Sequence, residues 1–537
     1  MSLNESMAEI NRSNITLIPK TKNPTKITEF RPISLSNLIY KLISKVLANR
    51  LKSILPQIIT ENQSVFLSER LITDNVLAAF ELMHFLEHKK EGKDCFMAVK
   101  LDISKAYDRV EWGFIKKVMK QLGFHERWIS LIMHCITTVT YSVLINGVSH
   151  RCIVPLRGLR QGDPLSPYLF LICVDGFSSF INDAVRYNML SGVSIYRGSP
   201  MITHLFFTDD SLLFCKASIQ ECQKLIAILD LYEATFEQKI NVDKSSIYFS
   251  QNTSPELKAE VLEVMGPMKD LKHYKYLGLP SIIGKSKIDV FAELKEQVAR
   301  KLSGWKEKLL SMGGREILIK VVVQAIPTYS MSYFLLPKSL FDEIEGMMRR
   351  FWWGQRKQES RIAWINWKKL CKSKLKGGIG FRNLQAFNLA MLAKQGWRFL
   401  SNPQSLIARI YKARYYPHGD VLNLKLGCNP SYAWRSIFQA LEVIRKGTRW
   451  RVGNGRHIRI WEDKWLPTPS TYKVITPLKP INDFPMVSSL IDYETKRWKS
   501  EVIRTIFLPF EANTILNIPL SYNLPKDKLI WMGNKKR

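Results

Sequence analysis

Two adjacent carboxylates, Asp209 and Asp210, lie in the stretch HLFFTDDSLLF (204–214) between two apolar arms. Leu205, Phe206 and Phe207 lead in, and Leu212, Leu213 and Phe214 lead out, which predicts two buried strands joined by a tight two-residue turn. On these residues alone two readings are open. Asp is a frequent turn residue that bonds its own backbone. Alternatively, two like charges between apolar arms repel unless a cation sits beside them, and hard ions such as Mg²⁺ prefer carboxylate oxygens. A second stretch far upstream tips the balance: in FMAVKLDISKAYDRV (96–110) an apolar run again stops at a carboxylate, Asp102. Residues 97–101 are expected to form a strand beside the hairpin that brings Asp102 to its tip. Three carboxylates converging from two segments can hold two Mg²⁺ ions about 3.5–4 Å apart, which stabilises the attacking and leaving oxygens in phosphoryl transfer.

The flanking sequence must supply the frame for these acids. A short strand (15–18), a basic linker (19–26) and FRPISL (30–35) come first. Pro32 forces Arg31 into extended backbone, where its fork of donors suits a triphosphate or plain solvent. Leu38, Leu42, Val46, Leu47 and Leu51 recur at helical spacing with Lys41, Lys45, Arg50 and Lys52 on other faces, predicting a basic amphipathic helix ended by Pro56. Further helices are expected at about 73–90, 112–122 and 126–136, then a hairpin over 139–156 turning at Asn146-Gly147. LRGLRQGDPLSP (156–167) follows, with Gly158 and Gly162 for flexibility, Arg157 and Arg160 for charge, and Asp163-Pro164 opening a helix to Val185. A Gly-rich basic loop leading into a helix N-terminus suits a phosphate or nucleotide. Beyond the acidic hairpin come a helix (218–236), a strand pair or bent strand (239–250) and a short aromatic strand (273–280) closed by Gly278. Apolar steps of three and four then mark a small helical domain from about 288 to 352.

Length and composition narrow the possibilities. A chain of 537 residues with 46% hydrophobic content should form two or more domains with real cores. The formal charge of +32 calls for a polyanionic partner. Residues 301–537 hold 42 Lys+Arg against 16 Asp+Glu, whereas residues 1–300 hold 37 against 31, so the polyanion grip is expected downstream of the acids. The eight cysteines are scattered without a Cys-x-x-Cys pair, which supports neither a zinc knuckle nor a disulfide framework and points to a reducing intracellular compartment. The polar N-terminus is no signal peptide, and no apolar run of 18 or more residues is evident, so a soluble protein with no membrane partner is expected. Eleven of the 14 tryptophans fall between Trp352 and Trp531, interleaved with Lys and Arg as in base-stacking surfaces, although most are expected to be core.

The ordered series FRPISL (30–35), LDISKAYD (101–108), GLRQGDPLSP (158–167), FTDD (207–210), NVDKS (241–245) and YLGLP (276–280) resembles the reverse transcriptases of plant LINE-type (non-LTR) retrotransposons. The resemblance runs from Asn11 over most of the chain. It implies an α+β right-hand polymerase fold: fingers and palm with an antiparallel palm sheet (1–282), a helical thumb-like domain (283–352) and a basic, aromatic-rich mixed C-terminal region (353–537). The implied activity is RNA-directed DNA polymerisation. Its implied partners are an RNA template, a DNA primer and dNTPs, with two Mg²⁺ ions or Mn²⁺ in their place, in the nucleus or cytoplasm. By the same resemblance Asp102 and Asp209 are the principal metal ligands and Asp210 the adjacent acid. Tyr107 lies under the incoming sugar, where its ring favours dNTPs, unless it is simply a packed core tyrosine. Gln161 and Gly162 cradle the template and nascent pair, Arg31 lies near the triphosphate, and Lys244 protonates the leaving pyrophosphate. Two positions depart from the family pattern: Thr208 stands where Ala is usual, and Glu237 where Gly is usual. Endonuclease, Cys/His and ribonuclease H segments, which complete elements of this kind, are not visible, so the resemblance is to a truncated copy. Two rival readings remain at this point: an inactive remnant that at most binds nucleic acid, and a maturase-like RNA-binding splicing factor on the same fold.

Overall fold

Two sheets form in the first half of the chain, one from short apolar runs buried on both faces and one from more exposed strands. The computed structural model describes residues 3–67, 70–208, 210–270, 275–284, 286–305, 310–354, 362–468, 471–477 and 485–533. After helix α1 (Leu3–Ile10), strands β1 (Arg12–Pro19) and β2 (Phe30–Ser36) join β4 (Thr140–Ile145) and β5 (Val148–Ile153) in the order β2-β1-β4-β5. The β4–β5 hairpin turns at Asn146 (φ 50°) and Gly147 (φ 82°), the left-handed pair that a twisted two-residue turn demands. The second sheet has β3 (Phe96–Ser104) at its centre, in the order β10-β9-β3-β7-β6. Its other strands are β6 (His204–Phe207), β7 (Asp210–Lys216), β9 (Ser246–Phe249) and β10 (Lys269–Asp270), and the two-residue β8 (Lys239–Ile240) also pairs with β3. Within this second sheet the pairings are antiparallel except that β10 runs parallel to β9, and in the first sheet β1 runs parallel to β4.

Helices cover this sheet: α2 (Leu38–Ile58), α3 (Ile72–His88), α4 (Trp112–Gln121), α5 (Glu126–Thr137), α6 (Ser166–Arg186), α7 (Ile219–Phe236) and α8 (Pro255–Met265). Among the described residues α6 alone is long and apolar enough to cross a membrane. Its Leu169, Phe170, Leu171 and Phe177 are at most 1% exposed, as in the central helix of a packed core. Four expectations need correction. Asp210 does not sit in the turn of the acidic hairpin but opens β7, paired with Phe207 on β6, because the strand ladder extends to it. Pro56 does not end α2, which continues to Ile58 and closes with the Ile59 N–H on the Leu55 carbonyl (2.9 Å), although proline itself gives the ladder no N–H. Of the apolar stripe expected on α2, Leu38, Leu42 and Val46 face solvent, while Tyr40, Ala48 and Leu55 join Leu47 and Leu51 in the core. Residues 275–280 form a small hairpin, Lys275–Tyr276 against Leu279–Pro280, rather than one strand, with Leu277 (φ 49°) and Gly278 (φ 77°) making the turn.

Contacts divide the chain into two units, residues 1–388 with 398–436, and residues 389–397 with 437–537. The first includes the helices Ala292–Gly304, Met312–Val321 and Lys338–Trp353, where helical steps were expected. Residues 398–436 are fastened to α3 in the same unit. Glu81 is fully buried and accepts hydrogen bonds from Arg414 (3.0 Å), Tyr415 (2.8 Å) and Ser431, while Arg398 pairs with Asp74 at 2.6 Å. The second unit has its own core around Ile458, Ile460, Trp465, Leu490 and Ile503, beside the pairing of Thr448–Arg451 with Lys528–Trp531. Of the eleven tryptophans from Trp352 onward only Trp364 and Trp531 are exposed, so most of them are packing residues.

Candidate active site

The register of β3 on β7 sets Asp102 directly opposite Asp210. The Asp102 N–H donates to Ser245 Oγ (3.2 Å) and its carbonyl accepts from the Asn241 N–H (2.7 Å). Both main-chain groups therefore point away from β7. The pair is of the non-hydrogen-bonded kind, with Cα atoms about 4.5 Å apart and side chains closest on one face. Lys100, two residues earlier on that face, places Nζ 3.6 Å from the Asp210 carboxylate and 3.5 Å from the Lys275 carbonyl. Asp209 lies outside the described residues, and among those described no three His, Cys, Asp or Glu side chains group as a metal site. Asp102 and Asp210 nonetheless offer facing hard oxygen donors, a set that fits a divalent cation such as Mg²⁺.

The acids are braced from both sides. On β6 the Phe206 carbonyl accepts from Asn75 Nδ2 (2.6 Å) and its N–H donates to Asn62 (3.0 Å). His204, fully buried, bonds Ser178 (2.9 Å) and Thr203 (2.8 Å), and burial lowers its pKa to about 3, so it is neutral. On the other edge Ser245 Oγ donates to the Asn241 carbonyl (2.8 Å), closing a short turn that carries exposed Lys244. Gln238, 3% exposed, donates to the Ala106 carbonyl (3.2 Å) and so holds the turn beside Tyr107.

The loop after β5 completes the site. Leu159 donates to the Tyr107 carbonyl (2.8 Å), and the half-buried Tyr107 ring stacks on Phe170 at 4.6 Å and 16°. The Gln161 side chain hydrogen-bonds the Asp108 carboxylate, whose pKa is nonetheless raised because the surrounding protein removes water. The Gln161 carbonyl accepts from Ser34 (3.0 Å), which ties this loop to the strand of Arg31. Gly162 sits at φ 106°, with the position of a Cβ only 3.3 Å from the Ser34 carbonyl, so a side chain there is opposed on both counts. Arg31 itself is exposed and makes no ion pair with a described residue.

Of the two arginines in this loop, one is buried and not available to a phosphate, contrary to the expectation, and the other is loosely paired at the surface. Arg160 is buried, bonded to Asn11 (2.5 Å), Ser13 (3.0 Å) and the Cys135 carbonyl (3.0 Å), with its guanidinium 3.9 Å from the Tyr40 ring centroid. Arg157 pairs with Glu237 and, at 3.4 Å, with Glu111. Lys100, Ser245 and Gln238 are the site residues that sequence reasoning missed. Lys100 had a signal in its two-residue offset from Asp102 on a strand and Ser245 in closing the motif NVDKS, whereas Gln238 had none.

A palm sheet ending in facing acids, flanked by helices, defines a right-hand polymerase fold. Residues 18–281 match the family model described as "Reverse transcriptase (RNA-dependent DNA polymerase)", and the chain belongs to the reverse transcriptase family, among the LINE-type (non-LTR) relatives. An uncharacterized mitochondrial protein of Arabidopsis thaliana is 41% identical over 159 residues, 29% of this chain and 99% of that protein. A retrovirus-related Pol polyprotein from a type-2 retrotransposable element of Drosophila melanogaster is 26% identical over 280 residues, 50% of this chain. The chain spans only 25% of that polyprotein. Among solved structures, a telomerase from Candida tropicalis in complex with a fragment of telomeric RNA aligns with TM-score 0.37 at 13% identity, covering 75% of this chain and 64% of that one. The family generally uses divalent metal ions.

Proposed function

We propose that the chain is an RNA-directed DNA polymerase that extends a DNA primer 3′-hydroxyl along an RNA template with dNTPs, in the nucleus or cytoplasm. The observation that carries this reading is the register pairing of Asp102 with Asp210 inside the matched reverse transcriptase segment. Asp102 and Asp210, with Asp209 between β6 and β7, would hold two Mg²⁺ ions, which when bound lower the pKa of the primer hydroxyl and neutralise the nucleotide phosphates. Gln161 and Gly162 position the templating pair, and Arg31 on β2 reaches the triphosphate. Tyr107, fixed against Phe170, blocks a 2′-hydroxyl, and exposed Lys244 delivers a proton to the departing pyrophosphate. Fingers and palm over 1–282, thumb over 283–352 and an accessory region over 353–537 complete the functional division. The test is primer extension on a homopolymeric RNA template by this chain and by Asp209→Ala. Mg²⁺-dependent incorporation abolished by the substitution is expected, and equal incorporation by both proteins refutes the assignment.

One observation favours a second reading. Thr208, a β-branched residue, is held at φ 55° directly before the acids, where backbone strain of about 1–3 kcal/mol is expected. Absence of incorporation by either protein would support a catalytically silent nucleic-acid-binding descendant.

A further inference from the structure

Residues 362–388 carry six cations, Lys368, Lys369, Lys372, Lys374, Lys376 and Arg382, and no acid. Their backbone closes into a fixed knuckle. The N–H groups of Ile379 and Gly380 donate to the Leu370 carbonyl (2.9 and 3.1 Å), and Gly380 also donates to that of Lys372 (2.8 Å). Gly378 makes this closure feasible, since a Cβ there would lie 2.0 Å from the Lys372 carbonyl oxygen. Beneath the knuckle Trp367 stacks on Phe381 at 4.9 Å and 13°, with Trp352 edge-on to the same ring. At the tip, in the turn Lys374–Lys376, Leu375 is 100% exposed. Lys374 pairs with Glu316 at 3.1 Å, whereas the other four lysines make no ion pair with a described residue. A braced loop thus holds a leucine in water among lysines of which four make no ion pair with a described residue, forgoing the gain that burial gives.

We propose that this knuckle grips double-helical nucleic acid, with its lysines on backbone phosphates and Leu375 as an apolar wedge in the shallow groove. The acid-free charge selects a polyanion. The aliphatic tip selects a duplex over a single strand, because single strands are held by stacking on aromatic faces, whereas aliphatic wedges among cations enter minor grooves. The proposal does not depend on polymerase activity.

The test measures binding of the full chain to a fluorescein-labelled RNA–DNA hybrid in EDTA across a salt series, so a failure of the polymerase reading cannot be mistaken for its result. The triple variant Lys368→Ala, Lys372→Ala, Lys376→Ala is expected to reduce the log–log salt slope by about 2.7 and to weaken binding roughly 10- to 100-fold near physiological salt. Leu375→Ser should weaken binding with the slope unchanged, and since Leu375 is fully exposed its variant folds as the parent does. Parental affinity and slope in both variants would overturn the proposal. So would a loss confined to phosphatidylserine vesicles, which would make the knuckle a lipid-binding surface.

Discussion

Glu237 provides a test whose sign the local geometry dictates. It caps α7 at φ 50°, ψ 18°, in the left-handed region that costs a residue with a Cβ roughly 1–2 kcal/mol and glycine almost nothing. Its carboxylate pairs with Arg157, but the two side chains are 54% and 45% exposed, and exposed pairs are worth about 0.2–1 kcal/mol. Glu237→Ala removes the ion pair and keeps the strain, so it should lower stability by no more than about 1 kcal/mol. Glu237→Gly removes both, for a net change of about zero to a gain of about 1.5 kcal/mol. The decisive comparison is between the two variants, where the lost ion pair cancels: glycine should exceed alanine by roughly 1–2 kcal/mol. At an ordinary helical φ the order would be reversed, with alanine favoured by about 1 kcal/mol. Urea midpoints read by far-UV circular dichroism measure the difference. An alanine variant as stable as the glycine variant would refute the left-handed cap and the account of why the family pattern has glycine there.

Further tests follow from the clasp, the nucleotide face and the buried histidine. Ser245→Ala leaves the Asp102 N–H without its acceptor, which should cost about 1–3 kcal/mol and lower the rate of primer extension; parental melting and rate would show the clasp to be idle. Tyr107→Ala opens the space beside Phe170 and should reduce the preference for dNTPs over rNTPs by roughly 10- to 100-fold in single-nucleotide incorporation. An unchanged ratio would leave Tyr107 a packing residue. His204 is neutral when folded, so between its ordinary pKa of 6.5 and its folded value of about 3 the unfolded chain takes up a proton that the native one does not. Stability is therefore fully present above pH 6.5 and lost as the pH falls toward 3, by about 4–5 kcal/mol in the limit, with His84 contributing in the same direction. Denaturation midpoints of His204→Gln should fall less steeply with acid than those of the parent, and parallel slopes would contradict the assignment.

Much of the architecture was legible along the chain because alternation and turn chemistry are local. The run 97–101, the arms around Thr208-Asp209 and the Asn146-Gly147 turn each predicted their strands from a handful of neighbours. The order of the motifs likewise identified the family. Other outcomes depended on partners distant in sequence. Arg160 reads as a free loop cation until Asn11 and Ser13, about 150 residues earlier, enclose it. Arg414 and Ser431 likewise give no local sign of the contact they make with Glu81 on α3, more than 330 residues earlier.

The amino-acid sequence by itself determined where the carboxylates occur and that apolar strands flank them, since a short apolar run is settled within a few residues; it set Asp210 in the turn, whereas the ladder with β6 makes it the first residue of β7. The tertiary structure decided which stripe of α2 is covered, that Asp102 faces Asp210, and that Lys100 joins them. Periodicity gives a segment two faces but does not say which one meets a partner. That choice, like cross-strand register, is made by side chains a hundred or more residues away, once the chain has closed around them.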